Sequence, residues 1–399
     1  MSRFLIVVPP LTGHINPLRP VAAELISRGH EVAWVGPAPE VTKLCGGERV
    51  YPAGDSEPFD VDKRPTDLRG FAALKYLWEQ YLVPLADAMV PGVLAAIDDF
   101  SPDALICDQQ AMAGPIAAGL RGLPWATSAS TSSELSDPVG QMPKVAAWID
   151  GLQAELRQRH GLAEDHHDLR FSPYLVLAFT SKELAGEPTV QVGEELIHYV
   201  GPAIGDRHGA GTFDLSRLDG RPLVFITLGT ANAPVSERFL RAATQACLPL
   251  VDRIQAVIVD PGNAIEHASA VGALSTDILI AARVPQLEII EKAAVVLCHG
   301  GHNTVCESLS NGVPLIVAPI RDDQPIIAEQ VVNAGAGIRL RFDRAQENDI
   351  RQALLTVLSD PSYTAKARSI KESFDMAEGP KGAADALFVL ASNPRTQPK

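Results

Sequence analysis

The sequence predicts an α/β protein of two doubly wound, parallel-sheet domains. Three observations carry this. Short β-branched apolar runs alternate with helical patterns in two separate series. A stretch at 201–221, rich in Gly, Asp and Arg and with little periodicity, parts the two series. The length of 399 residues suits two ordinary domains and is too long for one comfortable core.

The first series opens at Phe4–Val8, five apolar residues of the kind a buried parallel strand uses. Asn16 stands where a helix cap would, with Pro17 at the first helical position. Leu18, Val21, Ala22 and Leu25 then share one face, Gly29 ends the helix, and Glu31–Val35 begins the next strand. Further strands are predicted at Ala104–Cys107, Trp125–Ser128 and Tyr174–Phe179. The second series runs through Leu223–Leu228, Ala256–Val259, Ile278–Ala281, Ala294–Cys298 and Pro314–Ala318. Beyond Gly337–Leu340 the pattern is helical to about residue 391, and the tail 393–399 is expected to be disordered. The predicted boundaries are a first domain at 1–204, a linker at 205–221, a second domain at 222–375, and a segment 376–399 whose helix returns to the first domain.

Two stretches exceed a minimal strand-helix-strand scheme. They are Asp55–Gly70 and Glu134–Arg170, the latter with His160, His166 and His167. Between them lies an apolar, aromatic, helix-like run with Phe71, Leu74, Leu77, Trp78, Tyr81 and Leu82. It reads either as core or as the wall of a pocket for an apolar ligand, with Phe71, Trp78 and Tyr81 as the lining candidates.

Composition excludes several classes. The formal charge of −14 argues against nucleic acid and against an anionic membrane surface. Phe4–Val8 is too short for a secretory core, and no window approaches the roughly 18 continuous apolar residues of a membrane span. Five scattered cysteines without CxxC spacing suit reduced thiols in a cytoplasmic protein and make a zinc site improbable. Asp60-Val61-Asp62 forms a DxD, but in a polar, proline-containing loop without the strand-end placement that metal coordination needs, so no metal is expected.

The chemistry concentrates in residues 285–324. A strand ends at Cys298, Gly300 and Gly301 permit a sharp turn, and a helix begins near Asn303. The first amides of such a helix make an anion site by geometry and dipole. Asn303 and Thr304 add polar side chains, His299 can donate to a phosphate oxygen, and Glu307 lies one turn further on the same side. On glycines alone this is a weak phosphate loop, neither GxGxxG nor GxxxxGK[ST]. In the first half, His14 sits between the first strand and first helix. A neutral imidazole there suits a general base, which needs an orienting acceptor on its other nitrogen. Asp108, ending the strand 104–107, fits that role, although strand-end aspartates also cap helices.

Pro285-Gln286, the run His299 to Thr304, Glu307, Gly312-Val313-Pro314 and Asp323-Gln324 together resemble the donor signature of family 1 glycosyltransferases. Thr12-Gly13-His14-Ile15-Asn16-Pro17 extends the likeness to the N-terminus. The flavour is that of the bacterial branch acting on natural products. The resemblance implies the GT-B fold, two Rossmann-like domains facing across a cleft, and inverting transfer from a UDP- or TDP-sugar without a cofactor or metal. It implies that Val284 and Gln286 meet base and ribose, Glu307 the ribose hydroxyls, and His299 the β-phosphate. Asn303, Thr304 and Thr230 would then contact the diphosphate with the turn at Gly301, and Asp323 and Gln324 the hexose. Two positions depart from the plant form, which has Trp at Arg283 and at His302; base stacking is then left to the guanidinium plane or to another group. The resemblance also makes Asp108 the partner of His14.

The expectation is a hexosyltransferase, with His14 as base, moving glucose from UDP-glucose to a hydroxyl of an apolar small molecule. The alternatives are a TDP-deoxysugar donor, a nucleotide-sugar epimerase or hydrolase, and a non-catalytic sugar-nucleotide-binding helper.

Overall fold

The computed structural model describes the chain apart from residues 46–48, 56–64, 66–67, 69, 163–165, 206–212, 230–232, 264, 266–276 and 393–399. The chain divides into two compact units. One comprises Met1–Gly205 with Met376–Lys399, the other Asp206–Asp375.

Among its described residues the first unit holds seven parallel strands: β1 (Arg3–Val7), β2 (Glu31–Ala38), β3 (Arg49–Asp55), β4 (Ala104–Asp108), β5 (Trp125–Ala129), β6 (Val176–Ala178) and β7 (Ile197–Tyr199), in the order β3-β2-β1-β4-β5-β6-β7. Register pairs Phe4 with Ala104 and Val7 with Cys107. Period-2 alternation then sends Leu5, Val7, Leu105 and Cys107 to one face and Phe4, Ile6, Ala104 and Ile106 to the other. Both faces are covered, as a parallel sheet requires. Helices Val83–Phe100 and Ala113–Arg121 cover the first. Leu18–Ser27 covers the second, joined by the last helix, Pro380–Ser392, through Ala383, Ala384, Leu387 and Leu390.

Among its described residues the second unit holds six parallel strands: β8 (Leu223–Thr227), β9 (Gln255–Val259), β10 (Ile278–Ala281), β11 (Ala293–Cys298), β12 (Leu315–Val317) and β13 (Gly337–Arg339), in the order β10-β9-β8-β11-β12-β13. Val224, Ile226, Ala256, Ile258 and Leu297 pack with Phe239 and Leu240 of helix Ala233–Cys247 and with Ile350 and Leu354 of helix Glu347–Ser359. In each sheet the strand order reverses once, between β1 and β4 and between β8 and β11. Ligand crevices open at the carboxyl ends of strands at such switch points.

The two parallel sheets match the predicted fold class, with differences at particular elements. The sequence reading names no strand at β3 and β7, the two edges of the first sheet, or at β13, a three-residue edge of the second. β3 carries Pro52 and Gly54, which an edge strand tolerates, and β7 spans only three residues. Asn16 does not cap the long helix. A one-turn helix, Thr12–Ile15, intervenes, Asn16 closes it, and Pro17 precedes Leu18–Ser27. The tail 393–399 and most of the stretch Asp55–Gly70 lie outside the described residues.

Helical structure is continuous over Gly70–Phe100, long and apolar enough by composition to cross a membrane, although no 18-residue apolar run was expected. Its apolar side, from Trp78 through Leu85, Met89, Val93 and Phe100, is packed into the first unit's core. The insertion 134–170 is closed at its ends by an ion pair between Glu134 and Arg170, whose guanidinium also lies 5.5 Å from the centre of the Trp78 ring.

Gly114 shows how closely helix and sheet approach. A Cβ there would overlap the Cys107 sulfur and stand 3.2 Å from Val7 Cβ. Gly114→Ala should therefore destabilise the first unit by about 1–3 kcal/mol through overpacking. That outweighs the roughly 1 kcal/mol by which Ala favours a helix. All four tryptophans (Trp34, Trp78, Trp125, Trp148) lie in this unit, so urea unfolding followed by tryptophan fluorescence reads it directly. An unchanged or raised midpoint would refute the close approach.

Candidate functional site

At the first switch point three strand ends lie side by side. His14 stands in the one-turn helix beyond β1, Asp108 is the last residue of β4, and Ser130 follows β5. His14 Nδ1 is 2.9 Å from Asp108 Oδ1 and 2.8 Å from Ser130 Oγ. Ser130 donates its hydroxyl proton to Asp108 Oδ2 at 2.7 Å, and the Gln110 amide donates to Oδ1 at 2.9 Å. Asp108 is 2% exposed, and these donors satisfy the carboxylate that burial would otherwise penalise. The arrangement fixes the imidazole tautomer. A hydroxyl has one proton, and Ser130 spends it on Asp108, so both neighbours of Nδ1 accept. Nδ1 carries the ring proton and the lone pair falls on Nε2.

Sequence reasoning brought forward His14 and Asp108, and the structure sets them in contact. It missed Ser130. The available signal was a polar run, Ser128-Ala129-Ser130, at a strand end; the sequence does not give the strand order that sets this end beside Asp108.

The second switch point centres on His299, one residue beyond β11. Gly300 turns the chain with φ 86°, a conformation that disfavours any side chain. A Cβ at Gly301 would stand 2.6 Å from His299 Nε2, and one at Gly229, just past β8, 2.9 Å from Cε1. The ring therefore occupies a slot that two glycines leave open. Desolvation, with a smaller contribution from the Arg321 charge, pushes the imidazole down to about 4. At neutral pH His299 is therefore uncharged and donates a single N–H, so it brings no positive charge.

Helix His302–Ser310 starts one residue earlier than Asn303, with Gly301 as its N-cap and no side-chain cap bond. Its first-turn amides, including those of Asn303 and Thr304, point out of the N-terminal end. Gln286 opens helix Gln286–Lys292, and its Nε2 donates to Glu307 Oε2 at 2.6 Å and reaches Thr304 Oγ1 at 3.5 Å. Glu307 is 1% exposed. Gln286, Thr304 and Glu307 thus form one cluster, with Val284 buried and Arg283 exposed just before it. Gln324 is buried at the start of helix Gln324–Asn333, next to the half-buried Asp323. Its Oε1 accepts from the Ile320 and Arg321 amides at 2.9 and 3.0 Å, which leaves the amide nitrogen as its donor. Thr230 lies outside the described residues, as do Asp60 and Asp62.

The three acceptor-lining candidates do not form one wall. Trp78 and Tyr81 are core residues in a six-residue π-helical turn, Leu77–Leu82, while Phe71 is exposed and meets the Trp148 ring at 5.6 Å. From Trp78 to Leu82 the stripe is core, as apolar residues at helical spacing usually are. Tyr81 is still near the first switch point: burial first, and the Asp108 charge second, hold its phenol well above the ordinary value. Among the described residues, no three His, Cys, Asp or Glu side chains group as metal ligands would.

Residues 250–388 match the family described as erythromycin biosynthesis protein CIII-like, C-terminal domain. Over 97% of both chains the sequence is 25% identical to a protein of Bacillus subtilis described as an uncharacterized UDP-glucosyltransferase. It is 26% identical to 4'-demethylrebeccamycin synthase of Lentzea aerocolonigenes, over 98% of this chain and 99% of that one. Among solved structures, a calicheamicin glycosyltransferase superposes over the full length of both chains at a TM-score of 0.78 and 21% identity. The spinosyn rhamnosyltransferase complexed with thymidine diphosphate superposes at 0.73 and 23% identity, over 97% of this chain and all of that one. With two doubly wound parallel sheets and these relatives, the chain has the GT-B fold and is a glycosyltransferase, similar to those of natural-product pathways.

Proposed function

We propose that the protein moves a hexose, with inversion, from a nucleoside diphosphate sugar to a hydroxyl of an apolar small molecule, and that His14 is the general base. The 2.9 Å bond from His14 Nδ1 to Asp108, closed by Ser130, carries this reading, because it aims a basic nitrogen away from a buried carboxylate. In the reaction Nε2 takes the acceptor hydroxyl proton, the oxygen attacks the anomeric carbon, and the bond from that carbon to the diphosphate breaks. Asp108 stabilises the imidazolium that forms. The leaving diphosphate is met by the amides of helix His302–Ser310 and by the neutral His299 N–H, so the reading requires no metal.

The donor is read as UDP-glucose. The buried Glu307 carboxylate, oriented by Gln286, accepts from ribose hydroxyls, and a deoxyribose would offer one fewer. Asp323 accepts from hexose hydroxyls and Gln324 donates to one. A deoxysugar would leave part of this set unpaired, at a cost of about 1–3 kcal/mol per group. The spinosyn enzyme's complex with thymidine diphosphate keeps a TDP-sugar as the second reading. A transfer screen with both donors, read by mass spectrometry, decides between them: a gain of one hexose from UDP-glucose, unaffected by EDTA, is the expected product.

Three substitutions test the roles. His14→Ala should lower kcat by roughly 100- to 10,000-fold with UDP affinity by calorimetry nearly unchanged; near-wild-type turnover would remove His14 as the base. Ser130→Ala should cost about tenfold in kcat with little change in either KM, since Asp108 still holds the ring; an equal loss in donor affinity would contradict a role confined to the imidazole. His299→Gln, which keeps a neutral donor, should retain most of the UDP affinity that His299→Ala loses. Equal losses in both would mean that the imidazole's charge, not its N–H, matters.

A further inference from the structure

Gln109 follows Asp108 at the end of β4, and its backbone amide donates to Ser128 O in the neighbouring strand at 3.3 Å. The residue is 3% exposed, yet neither its Oε1 nor its Nε2 has a hydrogen-bond partner among the described residues. Buried polar groups are almost always paired, because stranding one forfeits its bonds to water. Other buried glutamines in this chain obey the rule. Gln153 Oε1 accepts from the Leu169 amide at 2.7 Å. Gln255 accepts from the Asp219 amide at 3.1 Å and donates to Arg217 O at 2.8 Å. Gln324 braces its own turn. Those three side chains tie loops together. Gln109 ties nothing, although the carboxylate one residue before it is held by three donors.

We propose that Gln109 reads the acceptor, binding a polar group next to the hydroxyl that His14 deprotonates. The inference rests on the transferase reading above. Its location supports the acceptor over the donor, since it adjoins Asp108 at the first switch point and the donor cluster belongs to the other unit. Its chemistry narrows the acceptor class. A primary amide offers a donor and an acceptor side by side, so it pairs best with a group that can do both: a hydroxyl adjacent to the reacting one, or an amide. A hydrocarbon neighbour would leave both atoms stranded. A site built to hydrogen-bond a substrate group rejects the analogue that lacks it far more strongly than an apolar pocket rejects a missing methylene.

The test compares wild type with Gln109→Leu and Gln109→Met, each close in length and without the amide. Two readings are taken on the full chain: ligand-free thermal unfolding by tryptophan fluorescence, and transfer from UDP-glucose to alizarin, which carries adjacent hydroxyls, and to 2-hydroxyanthraquinone, which does not. The wild type should favour alizarin by roughly tenfold or more in kcat/KM. Both variants should melt at or above the wild-type temperature, lose the preference for alizarin, and keep the KM for UDP-glucose. A lower melting temperature in both variants would show that the amide serves the fold and would overturn the proposal. So would a preference for alizarin that survives the substitutions, or wild-type transfer to other acceptors but not to alizarin. Failure of the wild type to glycosylate any acceptor would instead defeat the transferase reading, and the proposal with it; that outcome is read before any variant is made.

Discussion

The pairing of His14 Nδ1 with Asp108 and Ser130 is the constraint from which the proposed chemistry follows. A buried carboxylate is costly, and this one is retained at 2% exposure because three donors converge on it. The same bonds leave His14 one allowed tautomer. None of this is local in sequence. It depends on β1, β4 and β5 being neighbours, so that residues 14, 108 and 130 end at one edge. The two apolar faces of β1 and β4, covered by helices on both sides, hold those strands in register and so hold the three side chains in place.

The second unit applies the same topology to a different task. Its strand order also reverses once, and a histidine again stands near the switch point, here directly after β11. Here, among the described residues, no carboxylate bonds the ring. Glycines on either side make room for it, burial keeps it neutral, and the adjoining helix presents backbone amides. One histidine thus bonds a buried carboxylate, and the other sits desolvated between glycines. The difference lies in what surrounds each ring.

Much of this was legible in the sequence, and the exceptions have physical causes. Central strands such as Phe4–Val8 and Leu223–Leu228 announce themselves because both faces are buried, which forces continuous apolar runs. The edges β3 and β7 need no such run, so Pro52 and a three-residue strand hid them. Spaced motif residues identified Gln286, Thr304 and Glu307 as one site, and the structure brings them into contact across 21 positions. Ser130 and Gln109 could not be found that way. Their significance comes from strand order, burial and hydrogen-bond accounting, none of which is written in a single residue. For Trp78 and Tyr81 the sequence left core and pocket wall both open, because aromatic residues at helical spacing suit either, and the packing buries them in the first unit's core.

The most direct test is the protonation pattern of the His14 ring. Nitrogen-15 NMR of imidazole-labelled protein at neutral pH, with the resonance assigned by its loss in His14→Gln, distinguishes the two neutral tautomers. The geometry requires a proton on Nδ1 and a lone pair on Nε2, and Ser130→Ala should weaken but not reverse that preference. A ring protonated on Nε2 would point the wrong nitrogen at the acceptor and contradict the account of His14 as the base.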